Sequence, residues 1–293
     1  LRVPLEGLIM RSLRLRSIVG TTAAYIPVLL YAAAILVPLY YVFISAFKTN
    51  AEISLNPLGL PTSWSFAKFF DANNAVNLIA AEGNSLVVAA GSVVLTILFA
   101  APAAHGIARR VNAFSTGAQV AFGLAFLIPQ FAVLVPVYLI AVRSGLIQVP
   151  LVFLILFYAA MNIPLAVLLL VPFFRAIPKE IEESAELDGA GVLSRLRHVL
   201  LPIVVPGLTT VAILCFLAAW NEYIFAQVIT NSTSYTVQVA LPLLRSEGAF
   251  QGADVDLGRL AAGVVISVLP VFVVYAILRR RLIDAFAAGA VKG

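Results

Sequence analysis

Six long apolar segments dominate this chain of 293 residues. They cover residues 21–47, 85–108, 117–142, 149–174, 200–230 and 260–278. Most have about 20 residues or more, and a helix of that length crosses the ~30 Å hydrocarbon core of a bilayer. Inside a bilayer the backbone polar groups of such a segment must bond to one another, which favours helices. The sequence therefore predicts an all-α membrane protein with six transmembrane helices.

The composition supports a membrane protein and excludes several other classes. Hydrophobic residues make up 62% of the chain and charged residues only 11%, whereas a soluble domain carries about 25% charged residues. The net charge of +5 does not indicate nucleic-acid binding, because the basic residues cluster at the ends of the apolar segments. The single cysteine, Cys215, lies in an apolar segment and is expected to be a small buried hydrophobe.

The basic residues also predict which side of the membrane each loop faces. If the N-terminus is cytoplasmic, the inner segments hold 14 of the 19 lysines and arginines, which is the distribution that the positive-inside rule favours. We therefore expect both termini in the cytoplasm. The expected organisation is an N-terminal segment 1–20, a six-helix membrane domain 21–282 and a cytoplasmic tail 283–293, with loop 175–199 inside and loops 48–83 and 231–258 outside.

The polar stretch 178–191 interrupts the apolar pattern. It carries five acidic residues between Glu180 and Asp188, and a segment with this charge must lie at a membrane surface. Pro178 suits the first turn of a helix, and the acids that follow suit the positive end of the helix dipole. Gly189 suits a helix stop. The stretch predicts a short cytoplasmic helix that a soluble partner could grip, with re-entry into the membrane at Leu201-Pro202.

Signals for catalysis are weak. Neither histidine, His105 or His198, stands at metal-ligand spacing from a cysteine or carboxylate, so no metal site is expected. A Ser–His intramembrane hydrolase stays open as an alternative, although no Gly-x-Ser-x-Gly motif surrounds any serine. No Gly-x-x-x-x-Gly-Lys-Ser/Thr motif occurs, so any ATP would bind to another subunit.

Polar residues inside the apolar segments are candidates for a translocation path. They are Asn162, Asn221, Glu222 and Tyr223. Such residues face a protein interior or a wet cavity rather than lipid. The alternative is that each joins neighbouring helices by hydrogen bonds worth about 0.5–2 kcal/mol.

The polar stretch resembles the cytoplasmic EAA loop of ABC importer permeases. The matching residues run Glu183-Ser184-Ala185-x-x-x-Gly189, then Leu201-Pro202 after a spacer. Ser184 departs from the family pattern, which has alanine there. Further matches, to the carbohydrate-importer branch and its maltose-system second permease, are Asn84-Ser85-Leu86, Trp220-Asn221-Glu222-Tyr223 and the C-terminal Ala288-Gly289-Ala290-Val291-Lys292-Gly293. The stretch 103–109 matches more loosely, since the branch usually has tyrosine where His105 stands.

The resemblance implies the type I ABC importer permease fold and its partners. These are two ATP-binding subunits, which hold the ATP and Mg, a second homologous permease chain and an extracytoplasmic binding protein; no cofactor is expected on this chain. The implied location is the plasma membrane of a bacterium or archaeon. The implied ATPase contacts are Glu183, Ser184, Ala185, Asp188 and Gly189 in the loop, and Gly289 and Lys292 in the tail.

Several functions remain open on this sequence. A sugar or oligosaccharide is the expected substrate, and glycerol phosphate or its diesters are the alternative on the same fold. A secondary transporter would instead show ion-coupled uptake without an ATPase, and inverted repeats of the kind such transporters carry are not apparent in the sequence.

Overall fold

The computed structural model describes the backbone of residues 5–110, 112–249 and 255–290, and the side chains of residues 25–110, 112–245 and 255–277. Within these residues the regular structure is helical and no strand occurs. The helices are α1 (Leu5–Ser45), α2 (Asn50–Leu55), α3 (Ala67–Val76), α4 (Leu78–Arg109), α5 (Ala113–Phe126), α6 (Leu134–Arg143), α7 (Pro150–Arg175), α8 (Lys179–Leu187), α9 (Val192–Ile203), α10 (Val205–Trp220), α11 (Ile224–Ile229), α12 (Val237–Ala249) and α13 (Leu257–Ala290). The all-α prediction is confirmed.

Four helices of the described part are long and apolar enough to cross a membrane. They are Tyr25–Ser45 of α1, α4, α7 and Leu257–Ile277 of α13. They correspond to the first, second, fourth and sixth predicted segments. Two further apolar stretches are bent pairs, so the described residues contain up to six spans if each pair crosses once.

The two bent pairs correct the sequence-based prediction of continuous helices at 117–142 and 200–230. The helix Ala113–Phe126 meets Gln130–Arg143 at 88°, and α9 meets α10 at 82°. Pro129 lies at the first bend and lacks the N–H that would continue a helix, and its ring also disfavours helical backbone at the residue before it. At the second bend Val204 has φ −88° and ψ 10°, between Pro202 and Pro206.

The chain forms two compact units. One comprises Leu1–Asp71 and Asp256–Val265, and the other comprises Ala72–Val255 and Ile266–Gly293. In the first unit the ring of Phe47 packs against Trp64 and Phe69, with centroid distances of 5.0 and 5.2 Å. These aromatic contacts hold the segment that follows α1 in one place.

A buried lysine and a glycine lie close together in the first unit. Lys48 is only 2% exposed, and its ammonium donates to the carbonyl oxygens of Asn56 and Pro57 at 2.9 and 3.3 Å. Gly258 opens α13 so close to this segment that a Cβ there would lie 2.2 Å from the carbonyl oxygen of Lys48. Only glycine permits that approach.

The core of the second unit is formed by α4, α7 and α10. Small and branched side chains meet there, including Ala101 and Ala104 of α4 and Val167, Leu170 and Val171 of α7. Alanines on α4 allow close approach of the helix backbones, as is common between membrane helices. The same cluster continues through Phe174 and Ile177 to Leu200, so it reaches the polar stretch that carries α8.

The residue pair Asn84-Ser85 anchors a loop segment in the second unit. The side-chain amide of Asn84 donates to the carbonyl oxygen of Tyr235 at 3.0 Å, and the Ser85 hydroxyl accepts from the N–H of Val237 at 2.8 Å. Since α4 begins at Leu78, this pair lies in its second turn and not at its first residue.

Candidate functional site

The acidic stretch contains the short helix that its sequence predicts. Helix α8 begins after Pro178, which has the extended conformation φ −56° and ψ 140°, and carries Glu180 and Glu182 in its first turn. It ends in two backbone hydrogen bonds, from Gly189 N–H to the Glu186 oxygen at 2.9 Å and from Ala190 N–H to the Ala185 oxygen at 3.0 Å. These two bonds define a Schellman motif, which requires a left-handed residue at its centre.

Gly189 is that left-handed residue, with φ +83°. No atom lies within 4 Å of the position where a Cβ would be built, so the space beside it is open. The requirement for glycine therefore comes from the backbone conformation, which costs other L residues about 1–2 kcal/mol. The chain then resumes as α9 at Val192, and α9 contains a π-helical turn over Arg195–Leu200.

Four of the five loop residues singled out from the sequence face outward. Glu183, Ser184, Asp188 and Gly189 are exposed, whereas Ala185 is half-buried. An apolar side chain stands among them, since Leu187 is 89% exposed. The outward face of α8 therefore presents acidic side chains together with one large apolar side chain.

Glu182 points the other way and binds two side chains of α4. Its carboxylate lies 3.2 Å from Nε2 of His105 and accepts from Nε of Arg109 at 2.5 Å. A second guanidinium nitrogen of Arg109 donates to the carbonyl oxygen of Ile177 at 3.1 Å. The Glu182, His105 and Arg109 side chains are 15–16% exposed. We call these three residues the α4–α8 clamp.

The electrostatics of the clamp follow from its partners. Burial by itself would raise the pKa of the Glu182 carboxyl, but hydrogen bonds from Arg109 and His105, together with their charges, outweigh burial and lower that pKa. Glu182 is therefore a carboxylate at neutral pH. Sequence reasoning missed this contact, although His105 and Arg109 stand four residues apart and so share one face of α4. The acid that joins them lies 77 residues from His105.

The candidate translocation-path residues do not act as one group. The carboxylate of Glu222 accepts from the Tyr158 hydroxyl and from the N–H groups of Phe225 and Ala226 at 2.9 and 3.0 Å, so it caps the start of α11. Asn162 donates to the Tyr158 carbonyl oxygen at 2.8 Å.

Asn162 and Glu222 line a cavity of about 40 Å³. That volume has room for water and is far below the roughly 300 Å³ of small-molecule pockets. Asn221 donates back to Leu217 of its own helix at 2.9 Å, and Tyr223 is 41% exposed. The structure therefore joins Asn162 and Glu222 through Tyr158 and places Asn221 and Tyr223 outside that network.

Of the two predicted contacts in the C-terminal tail, the structure describes only the backbone of Gly289. Gly289 lies within α13, which continues to Ala290, so most of the predicted tail 283–293 is helix in the structure. Lys292 lies outside the described residues.

The surroundings of the two histidines bear on the alternative chemistries. In the described part of the chain, no group of three or more His, Cys, Asp or Glu side chains could hold a metal ion. His105 faces a carboxylate and not a serine. Nδ1 of His198 lies 3.4 Å from the Ser194 hydroxyl, but both residues are exposed on one turn of α9 and the same nitrogen lies 3.2 Å from the Ser194 carbonyl oxygen.

Comparison with known proteins identifies relatives along most of the chain. A family model described as binding-protein-dependent transport system inner membrane component matches residues 92–284. A diacetylchitobiose uptake system permease protein of Streptomyces coelicolor is 32% identical over 95% of this chain and 99% of its own length. A trehalose transport system permease protein of Mycobacterium tuberculosis is 30% identical over 88% of this chain and 93% of its own length.

A solved structure has a similar fold. It is the crystal structure of a bacterial ABC transporter involved in the import of the acidic polysaccharide alginate. One of its chains matches with a TM-score of 0.75 and 21% identity, over 92% of this chain and 97% of that chain. At this identity the likeness concerns the fold alone.

Proposed function

The chain belongs to the family of binding-protein-dependent transport system inner membrane components, and on that basis we propose that it is the permease subunit of an ATP-driven importer of a sugar or oligosaccharide. The observation that carries the proposal is the end-to-end match to a permease of a diacetylchitobiose uptake system. Other relatives of this chain include a permease of a trehalose transport system. Glycerol phosphate and its diesters remain the alternative substrates on this fold.

The proposed coupling surface is the outward face of α8. Glu183, Ser184, Asp188 and Gly189 would contact an ATP-binding subunit, with Ala185 supporting the helix from its half-buried side. Gly289 and Lys292 are proposed as further contacts near the C-terminus. ATP and Mg would bind to the two ATP-binding subunits, and this chain would bind neither. A second permease chain and an extracytoplasmic binding protein would complete the complex in the plasma membrane of a bacterium or archaeon.

The proposed membrane path has six crossings, each bent pair counting as one. Both termini and loop 175–199 would face the cytoplasm, and loops 48–83 and 231–258 would face outward. The bias of the basic residues supports this orientation. Asn162 and Glu222 are proposed to line the substrate path, whereas Asn221 and Tyr223 would lie beside it.

Cysteine labelling tests the orientation directly. In a Cys215→Ala background, Leu55→Cys should react with a membrane-impermeant maleimide added to intact cells, and Leu187→Cys should react only after permeabilisation. The two leucines form a matched pair because they are 87% and 89% exposed. The chain is expressed without its partners, so that nothing covers α8. Labelling of Leu187→Cys in intact cells would contradict the proposed orientation.

Purification of the tagged chain from its host in mild detergent tests the proposed function. Mass spectrometry of the bound proteins is expected to find an ATP-binding subunit and a second permease. If the chain purifies alone while other membrane complexes stay intact, the importer assignment is wrong, and the hydrolase and the secondary transporter become the leading candidates.

A further inference from the structure

The α4–α8 clamp joins the proposed coupling helix to a long helix of the membrane bundle. Glu182 is on α8, and its two side-chain partners, His105 and Arg109, are in the last two turns of α4. Arg109 also binds the carbonyl oxygen of Ile177, in the short connection between α7 and α8. Arg109 of α4 thus contacts both the Glu182 carboxylate of α8 and the connection that precedes α8.

The other acids of α8 make no comparable link in the described structure. Glu183 is exposed. Glu186 pairs with Arg195, but its side chain is 67% exposed and Arg195 belongs to α9, in the same polar stretch. Among the acids of α8, Glu182 is therefore the one whose described contacts reach a long apolar helix.

The contact combines charge-assisted hydrogen bonds with low exposure to water. Charge-assisted hydrogen bonds are roughly twice as strong as neutral ones, and exclusion of water strengthens them further. The same surroundings make an unpaired group costly, and a third guanidinium nitrogen of Arg109, Nη2, is already buried without a partner. Helix α4 also packs against α7 and α10 in the core of this unit. A displacement of α8 would consequently pull on α4 and, through it, on the helix core.

We propose that Glu182 is a positioning residue that transmits the movement of α8 to α4. This inference rests on the proposed role of α8 as the coupling helix. The inference gives neighbouring acids different roles. Glu183 would face the ATP-binding subunit, whereas Glu182 binds α4 in the membrane bundle. His105 and Arg109 form the receiving side of the contact.

The test uses the complete complex in lipid nanodiscs and needs no transported substrate. Mg-ATP with orthovanadate traps the ATP-binding subunits, and hydrogen exchange then reports the response of residues 100–110 at the end of α4. In Glu182→Gln this trapping response should fall by roughly tenfold, while the complex still hydrolyses ATP. Exchange across residues 176–190 should rise, because α8 has lost its anchor.

The controls separate a positioning role from a structural one. Glu180→Gln makes the same change on an exposed residue of the same helix and should leave the trapping response intact. Glu182→Asp keeps the carboxylate and should restore part of the response. The double variant Glu182→Gln/Arg109→Gln leaves no buried guanidinium unpaired, so it can replace Glu182→Gln if that variant does not assemble. Its trapping response should be no smaller than that of the single variant.

Each result decides between the proposals. A full trapping response of α4 in Glu182→Gln or in the double variant would overturn the clamp. A wild-type complex that contains no ATP-binding subunit, or does not hydrolyse ATP, would instead overturn the proposed function. In that case, faster exchange of residues 176–190 in Glu182→Gln would still show that the clamp holds α8.

Discussion

Replacing Gly189 with aspartate is expected to abolish transport while the protein still inserts in the membrane. Gly189 has φ +83° and forms the centre of the motif that ends α8. Aspartate tolerates this left-handed conformation better than most L residues do, so the substitution should not unfold the membrane bundle. An aspartate side chain would also project from the proposed docking face, next to Asp188, and hold α8 away from its partner.

The measurement compares uptake with the amount of protein in the membrane. Gly191→Asp is the matched control, since Gly191 lies two residues further along in equally open space, but has φ −67°. It stands at the N-cap of α9, where aspartate is a favoured residue. This control should transport normally. Normal uptake by Gly189→Asp would remove the support for a docking role of α8.

Replacing Glu222 with alanine is expected to lower the thermal stability of the protein and its uptake activity. The effect arises because Glu222 supports the fold beside the proposed substrate path. The Glu222 carboxylate accepts hydrogen bonds from the Tyr158 hydroxyl and from two backbone N–H groups in the first turn of α11. Tyr158 is 4% exposed, so its hydroxyl would be left buried without an acceptor. An unsatisfied buried polar group costs about 1–3 kcal/mol, and loss of a helix cap adds about 1 kcal/mol. Thermal unfolding of the purified protein should therefore begin at a lower temperature, with reduced uptake.

Two substitutions calibrate this prediction. Glu222→Gln keeps an oxygen that can accept hydrogen bonds, so it should lose less stability than alanine does. Asn221→Ala removes the neighbouring side chain, which is exposed and bonds only to its own helix, and it should unfold like the wild type. Equal stability of Glu222→Ala and Asn221→Ala would show that the Tyr158–Glu222 contact does not support the fold.

The sequence alone was enough to predict the class of the protein and the location of the short acidic helix α8. Apolar segments of bilayer length predict membrane helices because hydrocarbon forces each backbone to satisfy its own hydrogen bonds. The acids after Pro178 and the glycine at position 189 likewise predict a short helix with a defined end, since capping and left-handed backbone are local properties. These predictions depend on residues that are close together along the chain.

Tertiary structure decided the bends and the directions in which the polar side chains point. The sequence did not show that the third and fifth apolar segments break near Pro129 and Val204, because prolines occur in straight and bent membrane helices alike. It also did not distinguish Glu182, which faces inward, from Glu183, which faces outward. That difference arises because α8 packs against a helix whose contacting residue lies 77 positions earlier, and such contacts depend on how helices pack and not on local composition.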